Sequence, residues 1–180
     1  MVVDNAALQQ LPVLRDYAPG DREQLLAHFS TTWAATYPTD FFTTQMANVA
    51  TSLDPVTWLC GDNGRLIVAV ADAEPDGEIV GTVGFRSVEQ VSYVIAMYVR
   101  PNWQRRGLGK GLLTAALRRL PIDRNVVVNA MASSTWALVF YEKYGFKRFE
   151  QRDLDVGSGI VVPSIGLFLH RSELTQLIPA

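Results

Sequence analysis

Residues 91–120 restrict the fold of this chain more than any other stretch. Val91–Val99 is an apolar strand that ends at Arg100-Pro101. A short basic loop follows, with Gly107, Gly109 and Gly111, and an amphipathic helix begins inside it. Leu108, Leu112, Ala116 and Leu120 recur every four residues, joined by Leu113 and Leu117, while Lys110, Thr114 and Arg118 face away. Pro121 stops the helix. Along the strand, Tyr93, Ile95, Met97 and Val99 fall on one face and Val94, Ala96 and Tyr98 on the other. Both faces are apolar, which predicts a central strand covered on both sides. The first N–H groups of a helix lack an intrahelical partner, and the helix dipole is positive there. Glycines let backbone approach an anion closely. The unit therefore predicts a pyrophosphate cradle, with Arg105 and Arg106 beside it.

The other elements arrange themselves around this unit. Residues 1–10 read as a loose lead-in and Pro12–Tyr17 as a first strand. Pro19-Gly20-Asp21 opens a helix whose Leu25, Leu26, Phe29 and Trp33 share a face. Tyr37–Asp40 breaks it, and Phe41–Leu53 forms a second helix ended by Asp54-Pro55. Arg65–Ala71 and Glu78–Phe85 form a hairpin across a turn at Glu74–Gly77. Asn125–Met131 is a short buried strand, predicted to run parallel to Val91–Val99 through a right-handed crossover. Ser133 or Ser134 caps the next helix, with Trp136, Phe140 and Tyr144 as its apolar stripe and Gly145 at its C-terminal end. Phe146–Val156 and Ile160–His170 are the final strands, joined through Gly157-Ser158-Gly159.

Length and composition exclude several classes. The chain has 180 residues, which suits one domain over 1–180, and 48% of them are hydrophobic, enough for a sizeable core. A net charge of −2 gives no support for nucleic-acid or membrane-surface binding. The basic residues cluster at Arg100–Lys110 and Arg118-Arg119, which suits one anionic ligand. A single cysteine, Cys60, excludes an internal disulfide and a cysteine-based metal cluster. His28 and His170, far apart in sequence, form no metal-ligand pattern, so no metal is expected. The opening residues show no basic segment followed by an apolar run, and no apolar stretch approaches the ~20 residues that span a bilayer. A cytoplasmic setting is the expectation.

Three glycine motifs are candidates for the loop. The dinucleotide fingerprint G-x-G-x-x-G does not fit glycines at 107, 109 and 111, and G-x-x-x-x-G-K-[ST] is absent. Gln104-Arg105-Arg106-Gly107-Leu108-Gly109 matches Q/R-x-x-G-x-G/A at every defined position. Downstream, Ala137–Phe146 reads A-L-V-F-Y-E-K-Y-G-F, of the form A-x-x-x-Y-x-x-x-G-F. In these motifs, and in their strand–loop–helix context, the chain resembles the GNAT family of acyl-CoA-dependent N-acyltransferases. The likeness covers nearly the whole chain and is specific from Val91 to Phe149.

The resemblance implies an α/β fold with a mixed, mostly antiparallel sheet of six or seven strands and about four flanking helices. It implies acetyl-CoA as co-substrate and, as acceptor, a small-molecule amine or a protein N-terminus or lysine. Gln104, Arg105, Arg106, Gly107, Leu108, Gly109 and Lys110 would hold the pyrophosphate. Met97, Tyr98 and Val99 would lie along the pantetheine arm, with a backbone N–H near Met97 or Tyr98 facing the oxyanion. Tyr141 falls on the family tyrosine near the CoA sulfur, and a phenol of pKa about 10 can protonate a departing thiolate. Ser134 stands where relatives often carry an asparagine that orders the CoA arm. The aromatic stretch holding Trp33, Tyr37 and Phe42 falls in the acceptor region and favours a partly apolar acceptor. Many relatives dimerise, so a homodimer is an expectation.

The pattern departs from the family in one respect that bears on chemistry. Many members carry a glutamate in the strand before the loop, and Val91–Val99 holds no carboxylate. Glu89 and Glu78 are nearby in sequence without matching a motif, and the base is left unassigned. The intact loop serves either an enzyme or a non-catalytic acyl-CoA-binding sensor. Tyr141 favours the first reading and the missing glutamate the second. His28 and His170 read as surface or packing residues, and Cys60 as a small buried hydrophobe.

Overall fold

The computed structural model describes residues 11–71, 77–155 and 159–177. The lead-in at 1–10, most of the Glu74–Gly77 turn and Gly157-Ser158 lie outside the described residues. In chain order the elements are β1 (Val13–Asp16), α1 (Arg22–Ala34), α2 (Thr39–Thr51), α3 (Pro55–Cys60), β2 (Arg65–Ala71), β3 (Glu78–Val88) and β4 (Val91–Val99). They continue as α4 (Leu108–Leu117), β5 (Asn125–Met131), α5 (Thr135–Lys143), β6 (Lys147–Asp155), β7 (Val161–Leu169) and α6 (Arg171–Leu177). The seven strands form one sheet in the order β1-β2-β3-β4-β5-β7-β6. Only β4–β5 is parallel, as the crossover through α4 predicts; every other pair is antiparallel.

The strands of the first hairpin sort their side chains by alternation. Leu66, Val68 and Val70 of β2 pack with Leu25, Phe29 and Trp33 of α1, while Ile67, Ala69 and Ala71 join Leu112, Leu113 and Leu117 of α4 on the opposite face. Burial on both faces explains why β2 reads as a continuous apolar run. At the outer edge β6 is charged and exposed along most of its length, which blunts edge-to-edge pairing.

In β4 the strict alternation expected from the sequence fails. Thr82 faces Tyr98, but Gly84 faces Ile95, so β4 holds one residue more than β3 across this step. Ala96 carries the irregularity at φ +47°, in the left-handed region where a side chain is strained. One inserted residue inverts the faces beyond it. Val94 therefore shares the α4 side with Met97 and Val99, and Tyr98 turns to the α1 side.

Other expectations need correction. Asp54-Pro55, read as the stop of α2, also starts α3. The Asp54 carboxylate accepts from the N–H groups of Val56 and Thr57, and Pro55 takes the first helical position. On α5, Phe140 and Tyr144 pack against the core as expected, but Leu138 and Tyr141 are its fully buried residues and Trp136 is 59% exposed. A four-residue spacing marks a helix but not which flank of the stripe meets the sheet. Ser134 occupies the N-cap position of α5, but its hydroxyl makes no capping bond there. A final helix, α6, follows β7 and buries Leu174.

Candidate functional site

β4 and β5 pair only where Val91–Tyr93 meets Asn125–Val127; beyond that they part. A bulge sharpens local twist and bends its strand, and here it carries β4 away from β5. A cavity of about 730 Å³ occupies the split. Its walls are Tyr93–Tyr98 of β4, Val128–Met131 of β5, and Ser134, Ala137 and Tyr141 at α5. Trp33, Tyr37, Phe41 and Trp58 close it from the α1–α3 side. Along this stretch the edge of β4 that faces β5 has no strand partner, so backbone polar groups border the cavity.

Burial dominates the electrostatics. The hydroxyls of Tyr37 and Tyr98 lie 2.8 Å apart, and either can donate. Enclosure pushes the Tyr98 phenol well above its ordinary value, with Tyr37 and Tyr141 adding to the effect. Burial, then the nearby Tyr37, raises Tyr141 in the same direction. Burial also raises Tyr37, opposed by its bond to Tyr98. All three phenols hold their protons at neutral pH and act as donors, not bases. Burial pushes the Cys60 thiol up to about 12, so it is no nucleophile. Neither Glu78 nor Glu89 lines the cavity: Glu78 pairs with Arg100, and Glu89 sits in the β3–β4 turn at φ +51°. Asp155 of β6 is the one carboxylate among the lining residues.

The loop between β4 and α4 has the geometry of an anion cradle. Pro101–Trp103 makes one tight 3-10 turn, and the Gln104 side chain donates to the Val99 carbonyl at 3.0 Å, closing the loop on its strand. Gly107 is the N-cap of α4 at φ +85°, with open space where a Cβ would stand. The glycine is required by conformation, not crowding. The Gly111 N–H is bonded to the Gly107 carbonyl at 3.0 Å, which leaves the N–H groups of Leu108, Gly109 and Lys110 without partners inside the helix. Gly109 answers a different need, since a Cβ there would stand 3.3 Å from the Phe140 ring of α5. Arg105 and Lys110 are exposed beside the loop, and the Arg106 guanidinium lies 5.4 Å from the centre of the Trp103 ring.

The structure thus gathers Trp33, Tyr37, Met97, Tyr98, Ser134 and Tyr141 around one cavity, while Val99 and the loop Gln104–Lys110 lie beyond its wall. Phe42 packs among the apolar residues of the α1–α3 layer, and Phe41 takes the wall instead. Arg86 of β3 and Trp58 of α3 also line the cavity and carried no sequence signal, because neither belongs to a motif. No group of three or more His, Cys, Asp or Glu residues is placed to hold a metal among the described residues. Among those residues, no helix is long and apolar enough to cross a membrane.

Comparison with known proteins meets this geometry at two levels. Residues 62–148 match the family model for the acetyltransferase (GNAT) domain. The PaiA N-acetyltransferase of Thermoplasma acidophilum, solved in complex with coenzyme A, superposes with a TM-score of 0.63 at 17% identity, covering 86% of this chain and 96% of that one. A GCN5-related N-acetyltransferase of Rhodopseudomonas palustris gives 0.66 at 18% identity, over 89% and 96%. NAA60 of Arabidopsis thaliana, solved with acetyl-CoA, gives 0.60 at 18%, over 87% and 97%. No protein of curated function matches the sequence. At these identities the likeness to solved structures is one of fold.

Proposed function

We propose that the protein is an acyl-CoA-dependent N-acetyltransferase, a reading supported by the match of residues 62–148 to the acetyltransferase (GNAT) domain model and by the likeness of its fold to solved N-acetyltransferases. It moves an acetyl group from acetyl-CoA to a primary amine within a ternary complex. The residues present fit that co-substrate. Unpartnered N–H groups open α4, a glycine with open space stands at its N-cap, and the free edge of β4 leads into the cavity. Acetyl-CoA supplies the activated acetyl group. The loop Gln104–Lys110 grips its pyrophosphate. Backbone of Met97–Val99 aligns the arm, and N–H groups of the β4 edge receive the carbonyl oxygen as charge develops on it. Ser134 borders the same cavity and contributes a hydroxyl to the arm.

The observation that carries this reading is the Tyr141 phenol: buried, protonated at neutral pH, and facing the cavity that the free β4 edge also borders. Tyr141 gives its proton to the departing thiolate as the new C–N bond replaces C–S. The amine arrives neutral, and its excess proton leaves to solvent, since burial holds the phenols of Tyr37, Tyr98 and Tyr141 and the Cys60 thiol in their protonated forms. Tyr141→Phe keeps the ring and removes the hydroxyl. General-acid contributions reach about 10²–10⁴-fold, so kcat for the best amine should fall at least tenfold with KM for acetyl-CoA unchanged. Release of CoA thiol, followed with a mixed panel of amines, measures both. Full kcat in the variant would make Tyr141 a packing residue. Acetyl-CoA binding without turnover of any amine would favour a sensor module.

A further inference from the structure

Arg86 is a lining cation that pairs with no carboxylate among the described residues. It sits on β3 directly opposite Tyr93 of β4, with its guanidinium 5.7 Å from the centre of the Tyr93 ring. The head group lies over the Cα of Gly61, whose φ of +76° and missing Cβ leave it room. Its Nε is fully enclosed and has no hydrogen-bond partner, and among the described residues no carboxylate pairs with it. An enclosed donor on a cation is costly unless a partner satisfies it. The other charged lining residues do not supply one. Arg152 is occupied by Glu150 at 3.3 Å and by Asn129 at 3.4 Å, and Asp155 stands with it on β6.

We propose that Arg86 is a specificity residue and that the acceptor is a small primary amine carrying a carboxylate, which the guanidinium receives. This rests on the acyl-transfer reading and names its substrate class. The enclosed Nε is closed to a ligand, but the two terminal nitrogens are not enclosed, and such a planar pair matches a carboxylate in two parallel hydrogen bonds. Arg86 lies at the end of the cavity away from the phosphate loop. From Tyr93 to Met97, where the acetyl group is delivered, β4 advances four residues, one of them the bulged Ala96, so the rise is about 10 Å at ~3.3 Å for each of the other three. The arginine side chain spans part of this gap, so the amine and carboxylate belong to opposite ends of one molecule. Trp33, Tyr37 and Phe41 line the same cavity and suit an apolar or aromatic body. A polycationic amine is disfavoured by the same unpaired charge.

Matched acceptor pairs test this: 4-(aminomethyl)benzoate against benzylamine, and 6-aminohexanoate against hexylamine, in the CoA-release assay. Losing one charge-assisted hydrogen-bonded contact corresponds to roughly 10–150-fold, so kcat/KM should favour at least one carboxylate member by that much. Arg86→Met should collapse the ratio towards one, with acetyl-CoA affinity held by calorimetry. Arg86→Lys, which keeps charge and loses the fork, should fall between. A wild-type ratio within twofold for both pairs, or a ratio that survives Arg86→Met, overturns the proposal. If acetyl-CoA binds and no amine turns over, the acyl-transfer reading fails. The same pairs titrated into the CoA-loaded protein still decide the site, because only the carboxylate members should bind, and only with Arg86 present.

Discussion

The imidazole of His28 is wholly enclosed under α1, and Thr82 links it to the strand irregularity that shapes the cavity. The Thr82 hydroxyl lies 3.4 Å from His28 Nε2 and donates to the carbonyl of Ala96 at 3.1 Å. A side-chain hydroxyl thus satisfies a carbonyl that the bulge displaces from the ladder. Burial, helped by the Arg100 charge, lowers the pKa of His28 to about 3. The folded state therefore keeps this ring neutral where the unfolded chain would protonate it at about 6.5. Its stabilising contribution is complete above about pH 6.5 and is lost as pH falls towards about 3. The cost is close to 1.4 kcal/mol for each unit of pH in that window. Urea unfolding of the wild type between pH 6.5 and 4 should show the uptake of about one proton, and His28→Gln should lose that slope. Asp21, held below its usual range chiefly by its hydrogen bonds from Arg15, acts in a separate window below its ordinary pKa of 3.8. An unchanged slope in His28→Gln would mean the ring is solvated in the native state.

At the level of elements, α4 and its loop show two glycines serving different ends. Gly107 provides a left-handed N-cap in open space, and Gly109 lets α4 approach Phe140. A side chain in the left-handed region costs roughly 1–2 kcal/mol. For a domain of this length that is a loss of about 2–8 °C in Tm. Gly107→Val should stay folded within that margin while its CoA affinity, measured calorimetrically, falls more than tenfold, since the substitution re-aims the N–H groups that open α4. Undiminished affinity would remove the loop from the cofactor site. α3 illustrates how a boundary is misread when two elements share it. Asp54-Pro55 reads as a stop for α2 because proline cannot continue a helix, yet the same pair is an N-cap and first residue.

Taken as a whole, the molecule is a continuous sheet opened at one seam, and the cofactor should close that seam. Ligand at a hundred times its Kd stabilises by about 2.7 kcal/mol, which translates to a Tm rise of roughly 5–10 °C here. Amide exchange should localise the effect: residues 94–99 of β4 should gain protection on adding CoA while β2 stays as it was. No protection there would detach the cavity from the cofactor. Local physics made much of this legible in the one-dimensional chain. The apolar run of β2, the four-residue repeat of α4, the glycines of its loop and the strand–loop–helix order each depend on neighbours within a few residues. The position of Tyr141 was legible too, through its spacing from Gly145-Phe146. What tertiary structure alone decided is where non-local contacts break the period. One extra residue at Ala96 inverted the faces of β4 and swung Tyr98 to the α1 side. Insertion of β7 between β5 and β6 set the order of the far half of the sheet. Arg86 met the cavity only because β3 pairs with β4 in a register that sets it against Tyr93. A pattern of period two or 3.6 carries the face of a residue, but which strand lies alongside is set by contacts far apart in the chain.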